Sequence, residues 1–330
     1  MRDRAVHAIY FTLSDSLRPV KGRSPDSELL HCISMTRQHL GQHFLADLSW
    51  REQIAQAIRV SLHSRAFDVH GVAAAHNEDY CWIEIGPGHG EMTEYLARSG
   101  VPVHVIELDE SLIGNLNRLK RTLPNLEVIC GDVLESDLRL IARGRRIRVY
   151  GSLPYYITSP ILHHLFKFAE LIDELHVVVQ TEVAERMAAE PGSKAYGYLS
   201  VATQLNAWPE LVLEIPRAAF APPPDVGSTL VTLRMPGEWA ALRRDGLLRA
   251  GNAASTSDEE TFLEFVKSCF SKKRKTLVNN LRGNRQPDEI RAALASLGLR
   301  SDARAEQISI SNLAALHATL WPEDSNQRNV

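Results

Sequence analysis

A short apolar strand that runs directly into a glycine-rich turn is the feature that most constrains this chain. The apolar run at 80–85 ends in Gly86-Pro87-Gly88-His89-Gly90, and a stretch with apolar residues at helical spacing follows. Glycine lets the backbone turn sharply and approach a ligand closely, because it has no Cβ. The start of a helix adds free N–H groups and the positive end of the helix dipole. The pattern predicts the nucleotide-binding turn of an α/β sheet.

An acid follows the next apolar run at the distance expected of a ribose contact. The run at 101–106 ends in Glu107, about 20 residues after Gly86, where a carboxylate can accept hydrogen bonds from both ribose hydroxyls. The spacing differs from the G-x-G-x-x-G of dinucleotide-binding enzymes, because Glu91 occupies the place of the third small residue. Glycine-rich turns are common, so the turn alone is a weak signal. The turn and the acid together predict a nucleoside cofactor.

Apolar runs alternate with helical stretches over much of the chain. We predict strands at 80–85, 101–106, 126–130, 147–150, 175–179, 211–215 and 229–233, with helices between them, for example at 160–169 and 182–189. Such alternation predicts a mainly parallel, seven-stranded sheet with helices on both faces. The pair Ser49 and Glu52 has the spacing of a capping box and predicts a helix before the sheet.

The pattern changes after Met235, where strand signals stop. Helices are predicted at 238–249, 259–283, 287–297 and 310–319. We therefore expect three regions: a disordered extension at 1–34, an α/β domain at 35–235 and a small all-α domain at 236–330 with a short C-terminal tail.

Composition narrows the class of protein. No apolar stretch reaches the roughly 18 residues that a membrane span needs. The four cysteines are scattered without metal-ligand spacing, and Cys81 and Cys130 fall in predicted strands, where we expect buried thiols. We expect a cytoplasmic monomer without a metal, a disulfide or a membrane anchor. Because the net charge is −3, any binding of nucleic acid has to come from a local basic patch.

A third predicted strand end carries a further acid. Asp132 follows Gly131 after the run at 126–130. Its carboxylate is placed to accept a hydrogen bond from an exocyclic amine, such as that of adenine. An acid in this position often only caps the next helix, and that alternative stays open here.

The stretch after the strand at 147–150 is suited to an aromatic amine as substrate. The Ser152 hydroxyl and the Leu153 carbonyl could accept from the two N–H bonds of such an amine, which would localise its lone pair. Pro154 has no N–H to compete, and Tyr155 offers a face for stacking a base. The alternative is a proline turn with Tyr155 and Tyr156 packed in the core.

These residues belong to a longer series of motifs. In chain order they are Leu-Gly-Gln-His-Phe-Leu at 40–45, Glu-Ile-Gly-Pro-Gly at 84–88, Ile-Glu-Leu-Asp at 106–109, Leu-Pro-Tyr-Tyr-Ile at 153–157, Ser-Lys-Ala-Tyr-Gly at 193–197, Phe-Ala-Pro-Pro-Pro at 220–224, Lys-Lys-Arg-Lys-Thr-Leu at 272–277 and Arg-Ala-Glu-Gln-Ile-Ser at 304–309. On these motifs the chain resembles the KsgA family of rRNA adenine N6,N6-dimethyltransferases from about Leu40 to Asn312. The resemblance implies a class I methyltransferase domain (Rossmann-like) at 35–235 and an RNA-contacting helical domain at 236–330.

The resemblance also implies the cofactor, S-adenosyl-L-methionine, and a role for each motif residue. The cofactor would contact His43, Leu45, Gly86, Glu107, Asp132 and Ser152, with Glu107 at the ribose and Asp132 at the adenine. The catalytic set would be Ser152, Leu153, Pro154 and Tyr155, with Tyr155 and Phe220 stacking on the target base. Ser152 stands where the family usually has asparagine, and His43 stands where asparagine is common, so the geometry toward the adenine N6 is open.

An unbroken run of positive charge predicts the RNA-binding surface. Between Phe265 and Pro287 no acid interrupts Lys267, Lys272, Lys273, Arg274, Lys275, Arg282 and Arg285. We predict phosphate contacts on the outer face of one amphipathic helix, with Lys272, Lys273, Arg274 and Lys275 at their centre.

The resemblance implies dimethylation of two adjacent adenosines near the 3′ end of 16S rRNA, coupled to small-subunit biogenesis, with the small ribosomal subunit as partner. Two alternatives stay open. One is the related 23S rRNA adenine methyltransferase that confers macrolide resistance. The other is a non-catalytic ribosome assembly or transcription factor that retains the fold, to which Ser152 lends weight. A nucleotide-dependent dehydrogenase is disfavoured by the glycine spacing.

Overall fold

A seven-stranded sheet lies at the centre of the molecule in the computed structural model, which describes residues 43–59, 80–154, 157–244 and 258–321. The strands are β1 (Phe44–Leu45), β2 (Tyr80–Ile85), β3 (Val103–Glu107), β4 (Leu126–Cys130), β5 (Arg146–Ser152), β6 (Ile172–Gln180), β7 (Trp208–Ile215), β8 (Phe220–Ala221) and β9 (Ser228–Arg234). The helices are α1 (Leu48–Ala57), α2 (Thr93–Ala97), α3 (Glu110–Lys120), α4 (Leu138–Ala142), α5 (Thr158–Phe166), α6 (Thr181–Met187), α7 (Tyr198–Asn206), α8 (Trp239–Arg244), α9 (Asp258–Cys269), α10 (Leu277–Leu281), α11 (Pro287–Ser296) and α12 (Ile310–Leu320). The predicted extension at 1–34 lies outside the described residues, as do Tyr155 and Tyr156.

The strand order of the sheet is β4-β3-β2-β5-β6-β9-β7. The first five strands run parallel, and β9 is antiparallel to both of its neighbours. The chain builds outward from β2 to β4 and then returns to place β5 on the other side of β2. This reversal creates a switch point between β2 and β5, and ligands of open α/β sheets bind at the carboxyl ends of the strands there. The mainly parallel seven-stranded sheet is thus confirmed.

Successive residues of a strand point to opposite faces of the sheet. Both faces carry buried apolar side chains here, and helices cover both. Ile83 and Ile85 pack into one hydrophobic cluster with residues of α4, α5 and α6. Trp82, directly before Ile83, points to the other face and packs into a second cluster with residues of α1, α2 and α3. Each fully buried strand side chain of this kind typically contributes about 2–5 kcal/mol, judged by truncation to alanine.

The C-terminal helices α9 to α12 share one hydrophobic cluster, which includes Phe262, Leu281, Leu294 and Leu316. Tyr196, Val201 and Leu205, on α7 and just before it, belong to the same cluster. The helical part of the chain is therefore packed on α7. The boundary at 235–236 stays a prediction.

The predicted single helix at 259–283 is wrong. The chain forms α9 up to Cys269 and α10 from Leu277, with a turn between them. Thr276 begins α10 as its N-cap, and its hydroxyl accepts from the Asn279 N–H at 3.4 Å. A threonine N-cap favours a new helix start, and the like charges of Lys272 and Lys275, three residues apart, disfavour a continuous helix. Residues 272–275 therefore lie in a turn rather than on a helix face.

Two smaller predictions are also wrong. The cap of α1 is Asp47 rather than Ser49, because the Asp47 carboxylate accepts from the Ser49 and Trp50 N–H groups at 2.8 and 3.4 Å. Cys130 is exposed, because it ends β4 at the edge of the sheet. Cys81, on the central strand β2, is buried as predicted, and burial raises the pKa of its thiol to about 11.

Candidate cofactor and substrate site

The glycine turn after β2 has three left-handed residues. The φ angles of Gly86, Gly88 and Gly90 are +61°, +61° and +95°, a region that residues with a Cβ rarely adopt. A Cβ on Gly90 would lie 2.2 Å from the Leu119 Cδ1 atom. At Gly86, by contrast, no atom lies within 4 Å of the position a Cβ would take. The turn is closely packed at its far end and open over Gly86, where the cofactor was predicted.

Glu107 joins the tip of β3 to the glycine turn. Its Oε2 accepts from the Gly88 N–H at 3.2 Å, and its Oε1 accepts from the Asp109 N–H at 2.8 Å. The side chain is buried, and burial raises the pKa of its carboxyl group. Because a carboxylate has about four lone-pair sites, each oxygen retains capacity for a further donor. The residue is therefore suited to ribose hydroxyls, and that role stays a prediction.

Asp132 caps the short helical turn Val133–Glu135. Capping was one of the two roles that the sequence analysis left open for this residue. Its Oδ1 accepts from the Leu134 N–H at 2.8 Å. Its Oδ2 has no hydrogen-bond partner within the described part of the chain. The Gly131 N–H donates to the Glu107 carbonyl at 2.9 Å, so the ends of β3 and β4 lie together. Capping therefore leaves one carboxylate oxygen for an amine.

Two residues at this edge were missed from the sequence. Leu108 is 57% exposed directly after Glu107, and it offers an apolar surface at this edge. Glu84 is buried in β2, and the Thr93 hydroxyl donates to its Oε2 at 2.6 Å. Burial raises the pKa of Glu84 to about 8. An acid within an otherwise apolar central strand is the signal that could have identified Glu84.

The residues after β5 lie beside the glycine turn at the switch point, where Gly151 pairs with Ile85. The Leu153 N–H donates to the Val178 carbonyl at 3.0 Å, and its side chain is buried. The Pro154 carbonyl accepts from the Ile157 N–H at 3.1 Å and the Thr158 hydroxyl at 3.0 Å. These bonds hold the turn after β5 in place.

The two acceptors predicted for the substrate amine are available in this turn. The half-buried Ser152 hydroxyl and the Leu153 carbonyl form no hydrogen bond with another described residue. Tyr155, the predicted stacking partner, lies outside the described residues.

A two-stranded ribbon of β1 and β8 brings the N-terminal motif to the same edge. Leu45 pairs with Phe220, and the Ala46 N–H donates to the Ala219 carbonyl at 2.9 Å. His43 Nδ1 donates to the Pro222 carbonyl at 2.8 Å. Leu45 is buried, and Phe220 is only 4% exposed within the same core. Phe220 therefore packs beneath β1, and its stacking on a base stays a prediction.

The Phe44 ring, between His43 and Leu45, packs on the glycine turn. It meets the His89 ring edge-on with 4.4 Å between centroids, and a Cβ on Gly88 would lie 2.9 Å from it. The ribbon thus places His43 and Leu45 across the turn that was predicted to hold the cofactor.

The basic residues Lys272, Lys273, Arg274 and Lys275 are exposed in the turn between α9 and α10. The Lys273 ammonium donates to the Lys194 carbonyl at 2.5 Å. Tyr196, in the same motif at 193–197, meets Phe270 edge-on with 5.9 Å between centroids. The basic turn is therefore attached to the 193–197 motif, and Lys273 is one of the attachment points.

Within the described ranges there is no group of three or more His, Cys, Asp or Glu residues that could hold a metal ion. None of the helices in these ranges is long and apolar enough to cross a membrane.

The sheet order and the residues at the strand ends define a class I methyltransferase, and solved structures share this fold. A dimethyladenosine transferase from Plasmodium falciparum matches with a TM-score of 0.64 at 22% identity, over 83% of this chain and 96% of that one. The 23S rRNA methyltransferase ErmE matches with a TM-score of 0.57 at 25% identity, over 84% and 99%.

Sequence comparison identifies the family. The family model for ribosomal RNA adenine dimethylase matches residues 33–320. Ribosomal RNA small subunit methyltransferase A of Acidobacterium capsulatum is 43% identical over 240 residues, 72% of this chain and 80% of that protein. The chain belongs to the ribosomal RNA adenine dimethylase family, and the predicted resemblance is confirmed.

Proposed function

We propose that the protein transfers methyl groups from S-adenosyl-L-methionine to N6 of two adjacent adenosines near the 3′ end of small-subunit rRNA. The observation that carries the proposal is the pair of available acceptors, the Ser152 hydroxyl and the Leu153 carbonyl, at the switch point of a dimethylase-family sheet. The small-subunit substrate is supported by the names of relatives such as the Acidobacterium capsulatum protein. Such a substrate implies a cytoplasmic enzyme.

The residues at the carboxyl edge fit S-adenosyl-L-methionine. The open space over Gly86 admits a ligand close to the backbone. Glu107 retains acceptor capacity for the ribose, and the Asp132 Oδ2 remains for the adenine amine. The exposed Leu108 offers an apolar surface to the adenine ring. When bound, the cofactor supplies a methyl group on a positively charged sulfur atom.

The role of Ser152 and Leu153 follows from the chemistry of the substrate amine. Adenine N6 is a poor nucleophile because its lone pair is delocalised into the ring. Two acceptors for its two N–H bonds favour a pyramidal nitrogen, which localises the lone pair for attack on the methyl carbon. This interaction strengthens as the N–C bond forms, so it lowers the barrier more than it tightens substrate binding. Pro154 presents no N–H in competition.

The helical region at 236–330 supplies the RNA contacts in this proposal. The exposed side chains of Lys272, Arg274 and Lys275 are suited to backbone phosphates. A target adenine has to leave its base stack to reach Ser152. Stacking of that base on Tyr155 remains a prediction from the sequence.

A second candidate is methylation of large-subunit rRNA, favoured by the structural match to ErmE. The two candidates are separated by offering labelled S-adenosyl-L-methionine with isolated small or large subunits that lack the modification. We expect label in the small-subunit rRNA. Label only in the large-subunit rRNA would establish the second candidate, and label in neither would overturn both.

A further inference from the structure

A basic groove lies at the edge of the sheet opposite the candidate site. It has a volume of about 240 Å³ and is lined by residues of α4 and of two loops, including Arg139, Arg145, Lys167, Phe168 and Glu170. One loop enters β5 and the other enters β6, and these strands are parallel neighbours. The groove therefore lies at their amino ends. Ser152 ends β5, about 17–20 Å away at about 3.3 Å per residue.

Two cations of the groove, Arg139 and Lys167, are exposed to solvent. The Lys167 side chain is exposed and forms no ion pair or hydrogen bond within the described ranges. The Arg139 guanidinium lies 5.0 Å from the centroid of the Phe168 ring and 3.6 Å from the exposed Asp137 carboxylate. A pair this exposed contributes little, so the Arg139 charge remains available to a polyanion. Glu170 is the single acid among the lining residues.

The helical region also carries an exposed cation, on α9, and α5 contacts α7, on which this region packs, through His163. The Nε2 atom of His163, on α5, forms a hydrogen bond with the Tyr198 hydroxyl at 3.2 Å. Burial lowers the pKa of His163, and the positive charges of Lys167 and Lys267 lower it further. Lys267 is exposed on α9 and forms no ion pair within the described residues. We call Arg139, Arg145, Lys167 and Lys267 the lateral basic face.

We propose that the lateral basic face binds the phosphate backbone of the RNA substrate at a second site, distinct from the basic turn at 272–275 and from the base pocket. Charge complementarity carries the proposal, because three cations and a single acid line the groove, and a further exposed cation lies on α9, in a chain whose net charge is −3. Ser152 lies at the carboxyl end of β5 and the groove at its amino end, so RNA that contacts both has to span the length of β5. The inference rests on the proposed function, since the polyanion is the rRNA substrate.

The test measures binding to small subunits that lack the modification, as a function of salt concentration. Each phosphate contact that is lost lowers the slope of log K against log salt by about one. We expect the double variant Arg139→Gln and Lys167→Gln to lower the slope by about two relative to the parent. The single variant Lys167→Gln should lower it by about one and serves as a second measurement, because Arg139 also packs on Phe168.

The matched control is the double variant Arg118→Gln and Lys120→Gln, which removes the same charge from exposed positions of α3 on the other face of the sheet. It should keep the parent's slope. Affinity for S-adenosyl-L-methionine should be unchanged in every variant. If the parent binds and methylates small subunits while both lateral-face variants keep its slope, this inference fails and the proposed function stands. If the parent neither binds nor methylates them, both fail.

Discussion

The backbone N–H of Gly88 donates to the carboxylate of Glu107, which joins the turn after β2 to the end of β3 at 3.2 Å. One acid thereby orders the glycine turn and stands where the ribose was predicted. The same side chain is buried, so its negative charge is little screened by solvent. A ligand hydroxyl that reaches it meets a strong and already oriented acceptor.

We predict that Glu107→Ala weakens the binding of S-adenosyl-L-methionine. Losing a charged acceptor costs about 1.5–3 kcal/mol, which corresponds to about a 10- to 150-fold rise in Kd. Calorimetric titration of the folded variant measures this change. The exposed Glu110, at the first turn of α3, provides the matched control Glu110→Ala, which should bind as the parent does. Equal affinities for both variants would remove Glu107 from the cofactor site.

We predict that Gly90→Ala destabilises the protein. The φ angle of +95° is unfavourable for alanine, and the added Cβ would lie 2.2 Å from Leu119 Cδ1. Strain and overpacking of this kind cost about 1–3 kcal/mol of the free energy of unfolding. The control is Gly114, in the middle of α3, where an added Cβ would meet no atom of another element within 4 Å. Gly114→Ala should raise the free energy of unfolding by about 1 kcal/mol. Urea unfolding of the two variants measures both effects, and a neutral Gly90→Ala would contradict the packing described here.

We predict that Glu84→Gln changes how stability depends on pH. Burial raises the Glu84 pKa in the folded protein to about 8 from an ordinary 4.5, so the folded state holds this proton more tightly than the unfolded state. The parent therefore loses stability from this group as the pH rises between these two values. The neutral glutamine avoids the loss, so the variant should gain on the parent by an amount on the order of 4 kcal/mol at high pH. Urea unfolding of both proteins at pH 5 and pH 9 tests this, and a difference that does not change with pH would refute it.

We predict that Lys273 and Arg274 differ although they are neighbours in one basic turn. The Lys273 ammonium is bonded to the Lys194 carbonyl, while Arg274 is exposed and forms no ion pair within the described residues. Arg274→Gln should lower the salt slope of subunit binding by about one. Lys273→Gln should keep the slope and lower the free energy of unfolding by about 1 kcal/mol. A slope that falls by about one in Lys273→Gln as well would show that Lys273 also serves as a phosphate contact, and an unchanged slope in Arg274→Gln would contradict the contact at Arg274.

Much of the sheet could be predicted from the sequence, because strands covered on both faces leave nearly continuous apolar runs. The strands at 80–85 and 126–130 were predicted at their observed bounds, and the other five predicted strands of the sheet were found within a few residues. The two-residue strands β1 and β8 were missed. Their pairing joins Phe44 and Leu45 to a segment far along the chain, and no local periodicity records such a contact.

The candidate site was predicted less completely than the sheet. Strand ends locate Gly86, Glu107, Asp132 and Ser152, because parallel strands bring their carboxyl ends to one edge. The hydrogen-bond partners of these side chains are set by tertiary contacts. The Gly88 N–H donates to the Glu107 carboxylate, and the His43 Nδ1 donates to the Pro222 carbonyl. The interruption of the predicted helix at 259–283 likewise depends on the N-cap Thr276. It was missed because the helical spacing of apolar residues continues on both sides of the turn.

The most direct test of the account is a single-turnover comparison of the parent with Ser152→Ala and Ser152→Asn on small subunits that lack the modification. The mono- and dimethyladenosine products are separated and timed individually. Loss of one acceptor should slow Ser152→Ala by about ten- to a hundredfold, from about 1.4–3 kcal/mol, with little change in cofactor affinity. Ser152→Asn should retain activity, because its amide oxygen is also an acceptor. If the parent forms dimethyladenosine and Ser152→Ala matches its rate in both steps, the hydroxyl has no catalytic role, and the central claim about the acceptor pair is contradicted.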